Sequence, residues 1–263
     1  MTERRSNSDP EAFRQQRLAM LTGPGGSLSM VAMPTITASP QTFEGLPGMW
    51  SCPHPAAGVS VAATADDLQI DGHQLVGTAL LSPASRLRFS ATVTAQVAQE
   101  VDGTWFLQVA DTESPHLAAF DGLETYDVDP DWVLQAHYRS RTEAERPTLA
   151  GRLGGDDQHT RNCPGDVEFT LDNHMHRLAV YASFIPGWFT INFTDETSGS
   201  QTPSAGRILA LPLNSDGPVV LDFNQAMLLP HESSSVYPCP TPPAGNHLPI
   251  AVTAGERALR FRH

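Results

Sequence analysis

Residues 86–98 read RLRFSATVTAQVA and residues 104–110 read TWFLQVA. In the first stretch Leu87, Phe89, Ala91, Val93, Ala95 and Val97 alternate with Arg88, Ser90, Thr92, Thr94 and Gln96. A period of two is the signature of a β-strand with one wet and one dry face, and it excludes an amphipathic helix over these residues. Working outward, the same short apolar runs recur at 59–63 (VSVAA), 132–138 (WVLQAHY), 167–171 (VEFTL), 177–182 (RLAVYA), 188–193 (WFTINF), 207–213 (RILALPL) and 219–223 (VVLDF). Asp-Gly, Asp-Asn, Pro and Ser-Pro punctuation separates them, as expected of antiparallel strands joined by turns. One helix precedes them: Ser8 or Asp9 can cap it, Pro10 suits its first position, Phe13, Arg17, Leu18 and Leu21 share a face, and Gly23 stops it.

The expected fold is mainly β: two packed antiparallel β units, each a sandwich or partly open barrel, with one N-terminal helix. A flavin-binding split barrel is the fold-level alternative. The expected division is 1–26 for helix and turn, 27–150 for an N-terminal β unit, the polar glycine-rich stretch 151–166 as a linker loop, and 167–263 for a C-terminal β unit. That last unit carries a proline-rich loop, 228–249, with six prolines.

Twenty-nine acidic side chains stand against 16 basic ones, a formal net charge of -13. Such a chain lacks the basic stripe that phosphate backbones require, and an anionic membrane surface repels it, so neither nucleic acid nor membrane is expected as a partner. All 16 basic residues are Arg and Lys is absent, which rules out a Schiff-base lysine, a pyridoxal-phosphate anchor and a phosphate-loop lysine. The residues show neither a secretory signal nor a membrane span. Cys52, Cys163 and Cys239 are widely spaced without a CxxC pair, which reads as reduced thiols in a cytoplasmic protein with no metal.

Several C-terminal segments carry a further pattern. They are FTDETSGSQTPSAGRIL (193–209), DFNQAMLLPH (222–231), Cys239 eight residues later followed by PTPP, GNHLP (245–249) and AGER (254–257). They resemble, at matching spacing, a bacterial family known as domain of unknown function 1684. Residues 109–138 are similar to that family's middle segment, and the helix with Arg14 and Arg17 is similar to its W-R-x-x-R start. Reactive positions depart: the family's tyrosine is Pro203 here, its glutamate Gln201, its first cysteine His231, and the arginine after D-F-N is Gln225. The resemblance implies a retained scaffold with exchanged reactive groups.

Three constellations are candidates for chemistry. Asp195, Thr197 and Arg207 flank one loop between two strands, where Arg207 could hold a substrate carboxylate and Asp195 could act as acid or base; the alternative is a salt bridge that fixes the loop. Asp222 and Asn224 share the polar face at a strand end, where an acid and an amide could polarise a carbonyl; the alternative is Asx capping of the next loop. His231 and Cys239 could form a thiol pair or half a metal site, against simple packing. The proline-rich loop is expected to lie over the mouth formed by Asp222, Asn224 and Arg207, with Val236, Tyr237 and Leu248 buried and 232–235 facing water.

The functional expectation is a cofactor-independent acid/base enzyme acting on a small carboxylate- or ester-bearing substrate. Asp195 and Asp222 are its catalytic candidates, with Arg207, Asn224, Thr197, His231 and Tyr237 in substrate binding. The alternative is a non-catalytic ligand- or protein-binding module that kept the scaffold and lost the reactive residues.

Overall fold

The computed structural model describes residues 9–54, 56, 58–63, 68–100, 103–142, 148–152, 158–183, 187–212, 215–237 and 242–262, with the backbone alone at 148–152 and 158–162. The chain is mostly β and forms two compact units: a first unit of Ala19–Ala119, and a second of Met1–Leu18 with Phe120–His263. Helix α1 (Pro10–Thr22) contributes to both sequence ranges. The Asp9 carboxylate accepts from the amide of Glu11 at 3.0 Å at its start, and the Gly23 amide closes its end on the carbonyl of Ala19.

In the first unit, one sheet contains β1 (Met30–Ala32), β2 (Thr35–Ile36), β6 (Gln69–Ile70), β7 (His73–Gln74), β9 (Leu87–Arg88), β10 (Val93–Gln99) and β11 (Trp105–Asp111), in the order β1-β11-β10-β9-β6-β7 with β2 beside β11. The other contains β3 (Gln41–Phe43), β4 (Leu46–Ser51), β5 (Val59–Ala63) and β8 (Gly77–Leu81), in the order β3-β4-β5-β8. Alternation sorts the faces: Ala95, Val97, Leu107 and Val109 of one sheet share a core with Trp50, Val59, Val61 and Leu81 of the other. Gln96 and Gln108 point the other way. The Asp71-Gly72 pair has positive φ at both residues, the geometry of a tight hairpin turn.

After α2 (Pro115–Ala119), the second unit opens with β12 (Phe120–Thr125) and continues with β13 (Val133–Ser140), β14 (Thr148–Arg152), β15 (Gln158–Asn162), β16 (Gly165–Leu171) and β17 (His174–Ala182). It closes with β18 (Trp188–Asp195), β19 (Arg207–Pro212), β20 (Gly217–Asp222), β21 (Met227–Leu228), β22 (His247–Leu248) and β23 (Glu256–Phe261). The large sheet runs β20-β13-β16-β17-β18-β19-β21, with β22 parallel to β18; β12 pairs with β23 and β14 with β15. Phe223 is the hub of the core, with Trp132, Phe169 and Phe193 around it at 5.4–6.0 Å between ring centroids. Asp172 and Asn173 take the left-handed conformation in the β16–β17 turn, as the Asp-Asn pair predicts.

The expected division at 151–166 is corrected. The boundary falls between Ala119 and Phe120, because β13 pairs with β16 and β20 and therefore belongs with the C-terminal strands. Within the expected linker, residues 153–157 lie outside the described residues, and Gln158–Asn162 is strand, not loop. Period-two alternation marks a strand but says nothing of its partner.

Buried thiol and phenol groups bear on the alkaline stability of the second unit. Arg141 forks onto Asp166 at 2.7 and 2.6 Å, beside Cys163 and Tyr181. Burial pushes the Cys163 thiol and the Tyr181 phenol above their usual values, and burial pushes Tyr237 up to about 12. These groups keep their protons in the folded chain at pH values where the unfolded chain releases them, so stability falls as pH rises through the unfolded values. With no Lys in the chain, the decline between pH 9 and 12 belongs to Cys and Tyr. The melting temperature is expected to hold from pH 7 to 8.5 and to fall steadily above pH 9. Tyr237→Phe should flatten the part between pH 10 and 12, and an unchanged slope in that variant would contradict this assignment.

Candidate functional site

The β18–β19 connection is built first by its own backbone. Gly206 sits at φ +83, and a side chain there would collide with the carbonyl of Phe193. Asp195, 3% exposed, closes the loop: its Oδ1 accepts from the amide and hydroxyl of Thr197, and Thr197 meets Thr202 at 2.9 Å. Its Oδ2 accepts from Arg207 Nη2 at 2.7 Å. Arg207 is 0% exposed. Its two Nη groups also donate to the carbonyls of Val252, Ala254 and Glu256, and its guanidinium lies 5.5 Å from the Phe193 ring centroid and 5.9 Å from that of Tyr126.

The expected Asp195–Arg207 pair thus forms, but its expected place at a pocket edge is corrected. It is sealed in the core and ties residues 252–256 to the sheet. Both Asp195 oxygens and both Arg207 Nη groups are engaged by their own chain, which leaves a substrate carboxylate no approach.

Asp222 and Asn224 do reach an open surface. Alternation puts Leu221 and Phe223 in the core, both 0% exposed, and turns Asp222 and Asn224 outward. Asp222 caps the turn Phe223–Gln225 by accepting from the Asn224 amide, while its two oxygens also take the side-chain amides of Asn224 and Gln225, each at 2.9 Å. Asn224 clips the preceding loop in return, exchanging two 2.9 Å hydrogen bonds with the backbone of Asp129. The capping alternative is therefore what their geometry expresses.

These residues form one wall of a groove. The facing wall is the start of α1, with Pro10, Phe13, Arg14 and Arg17, and the floor is Thr125, Tyr126, Gly255 and Glu256. Glu256 is 2% exposed. Its carboxylate receives Arg17 Nε at 2.7 Å and Nη2 at 3.3 Å, and Oε2 also accepts the Leu228 amide at 2.7 Å. Gly255, at φ +79, packs so closely on Ala226 that an added Cβ would fall 2.5 Å from the Ala226 carbonyl oxygen. Arg14, 46% exposed, donates to Thr125 Oγ1 at 2.8 Å through Nη2, while its Nη1 lies 3.9 Å from the exposed Glu11 carboxylate, a loose surface ion pair. Arg257 lies over the Tyr126 ring at 5.0 Å. The enclosed space is about 30 Å³, enough for one water, so a ligand must lie along the groove and not inside it.

The chain from 118 to 257 matches the family described as "Protein of unknown function (DUF1684)". The chain belongs to this family. A solution NMR structure of an uncharacterized protein from Haloarcula marismortui is 31% identical to it, covering 52% of this chain and 77% of its own, with a TM-score of 0.44. No curated protein matches. Two of the segments quoted above line the groove: DFN supplies Asp222 and Asn224, and AGER supplies Gly255 and Glu256.

The remaining expectations are placed as follows. His231 Nε2 lies 3.1 Å from Glu232, and Cys239 is outside the described residues. Neither His231 nor Tyr237 lines the groove, although Tyr237 is near enough to Arg17 to feel its charge. Among the described residues of the proline-rich loop none lines the groove beside Asp222 and Asn224, where α1 does. Leu248 is buried as expected; Val236 and Tyr237 are partly so. Ser233 and Ser234, expected in water, are 2% and 3% exposed, because both sit in the turn following Pro230 and Ser233 Oγ returns to the Pro230 carbonyl. Asn246, fully buried, pins the loop's far end to Ala179 and Asn192. Arg14, Arg17, Tyr126 and Glu256 were absent from the expected site; the spacing of Arg14 and Arg17 and the AGER segment were the signals for three of them.

Proposed function

We propose that this chain is a non-catalytic binding module for a small carboxylate-bearing ligand, held along the groove between α1 and the Asp222–Asn224 wall. One observation carries this reading: the carboxylates of Asp195, Asp222 and Glu256 are all engaged by short hydrogen bonds from their own chain, whereas Arg14 presents a half-exposed guanidinium beside apolar and aromatic side chains, held by Thr125 and by a 3.9 Å contact with exposed Glu11 that a ligand carboxylate can displace. A general base has to offer a lone pair to its substrate, and each of these three commits three of its roughly four acceptor sites to its own chain. A guanidinium beside Phe13 and Tyr126 suits a carboxylate on an apolar body, with Thr125 fixing one side of the fork. The free thiols of Cys52 and Cys163 accord with a cytoplasmic setting, and the absence of Lys with a function that needs no lysine-anchored cofactor.

Isothermal titration with acetate, succinate and benzoate tests this. Benzoate is expected to bind most tightly of the three, and Arg14→Gln to weaken it about tenfold, the effect of losing one charge-assisted contact. No binding of any of the three at 10 mM would end the reading. Hydrolysis of p-nitrophenyl acetate above the buffer rate, abolished by Asp222→Asn, would instead favour the acid/base enzyme.

A further inference from the structure

The first unit holds a second feature that the groove does not explain. Across Ala19–Ala119 the sequence contains eight Asp and Glu but two basic residues, Arg86 and Arg88. Both line the same open trough of about 710 Å³ on the outer face of the β1-β11-β10-β9 sheet. Strand alternation puts them there. Leu87 between them is 2% exposed and points into the core, so Arg86 and Arg88 stand side by side outside.

Register extends the face. Arg88 pairs with Thr94 and Thr94 with Ala110, a row of short side chains that leaves a depression in the sheet. Next to it Gln96 faces Gln108, with Gln96 Nε2 donating to Gln108 Oε1 at 2.6 Å. Arg86 Nη1 reaches Gln96 Oε1 at 3.5 Å, a long contact that leaves most of its fork uncommitted. The Pro24-Gly25 turn and the Asp71-Gly72 hairpin bound the ends. Asp71 spends Oδ1 on the Arg86 backbone amide at 2.9 Å and makes no ion pair with either guanidinium. Among the described residues, neither Arg86 nor Arg88 forms a salt bridge.

An acidic unit that places its two cations together, unpaired, beside two side-chain amides in a concave face has the makings of an oxyanion site. The structure assigns to this trough the binding of a small polyanion with at least two oxyanion groups, carboxylate or phosphate. Arg86 and Arg88 each take one group, and the Gln96–Gln108 pair reads hydroxyl or amide groups between them. The site is independent of the α1 groove and of the function proposed there.

Citrate and pyrophosphate serve as probes, titrated into the full chain at 0.15 M NaCl and followed by the arginine Nε–Hε resonances and by calorimetry. At least one is expected to bind with a Kd below about 1 mM and to shift the Arg86 and Arg88 resonances. Preference for citrate identifies a polycarboxylate ligand, preference for pyrophosphate a phosphorylated one. Arg86→Gln with Arg88→Gln should weaken binding at least tenfold, while Arg177→Gln stays within twofold of the parent. Arg86 and Arg88 resonances that remain still in the parent chain, or an equal loss in Arg177→Gln, would overturn the assignment as a general ionic effect. Because the resonances are read in the unsubstituted protein, a misfolded variant cannot rescue the idea.

Discussion

Arg207→Met is expected to cost about 3–5 kcal/mol and to unfold the second unit well below the melting temperature of the parent. The reason is what the substitution leaves behind. Asp195, 3% exposed, would retain a negative charge with its guanidinium partner gone, and the carbonyls of Val252, Ala254 and Glu256 would lose their donors together. Removing one partner of a buried pair is far more damaging than the net worth of the pair. Replacing both, Arg207→Met with Asp195→Asn, should therefore recover part of the loss, since Asn can keep the oxygen that holds Thr197. Thermal denaturation of the two single variants and the double variant checks this; a double variant less stable than Arg207→Met would contradict the buried-charge argument.

The second large effect is expected at Glu256. Helix α1 buries Leu21 alone and has 13 residues, too short to persist in water without tertiary support. Within the second unit its most buried tie is Arg17 on Glu256, with side chains 11% and 3% exposed, beside the more exposed bond from Arg14 to Thr125. Glu256→Ala would orphan both the Arg17 guanidinium and the Leu228 amide, a cost of about 3 kcal/mol or more. Glu256→Gln keeps an acceptor for the amide and should cost roughly half as much. Hydrogen exchange supplies the local readout: amides of residues 14–18 should lose protection in Glu256→Ala before those of β16 and β17 do. Simultaneous loss in helix and sheet would show that Arg17 does not anchor α1 separately.

What could be read in the residues follows from how local each signal is. Alternation in 219–223 identified a strand and its wet face, and so put Leu221 and Phe223 inside and Asp222 and Asn224 outside. The run 86–98, read as one strand, is corrected to two, Leu87–Arg88 and Val93–Gln99, which pair with each other across a turn that alternation alone does not reveal. The Asp172-Asn173 turn was legible because left-handed backbone has few tolerant residues. The Asp195–Arg207 contact was legible because one short loop brings two adjacent strand ends together. Its burial was not, since that depends on residues 252–256, more than forty positions further along. The β12–β23 pairing joins segments separated by some 130 residues, a distance over which alternation carries no information about partner or register. That pairing brings Thr125 and Glu256 to the floor beside α1, so Arg14 and Arg17 read as an ordinary polar helix face until the floor is in place.

In the proposed function the buried Arg207 holds the framework while Arg14 meets the ligand. Arginine Nε–Hε spectra of the unsubstituted protein during a benzoate titration test it most directly. Arg14 is expected to shift in proportion to the calorimetric saturation, with Arg207 unmoved and slow to exchange with water throughout. A benzoate-dependent shift of Arg207 with Arg14 silent would place the ligand at Asp195 and contradict the account.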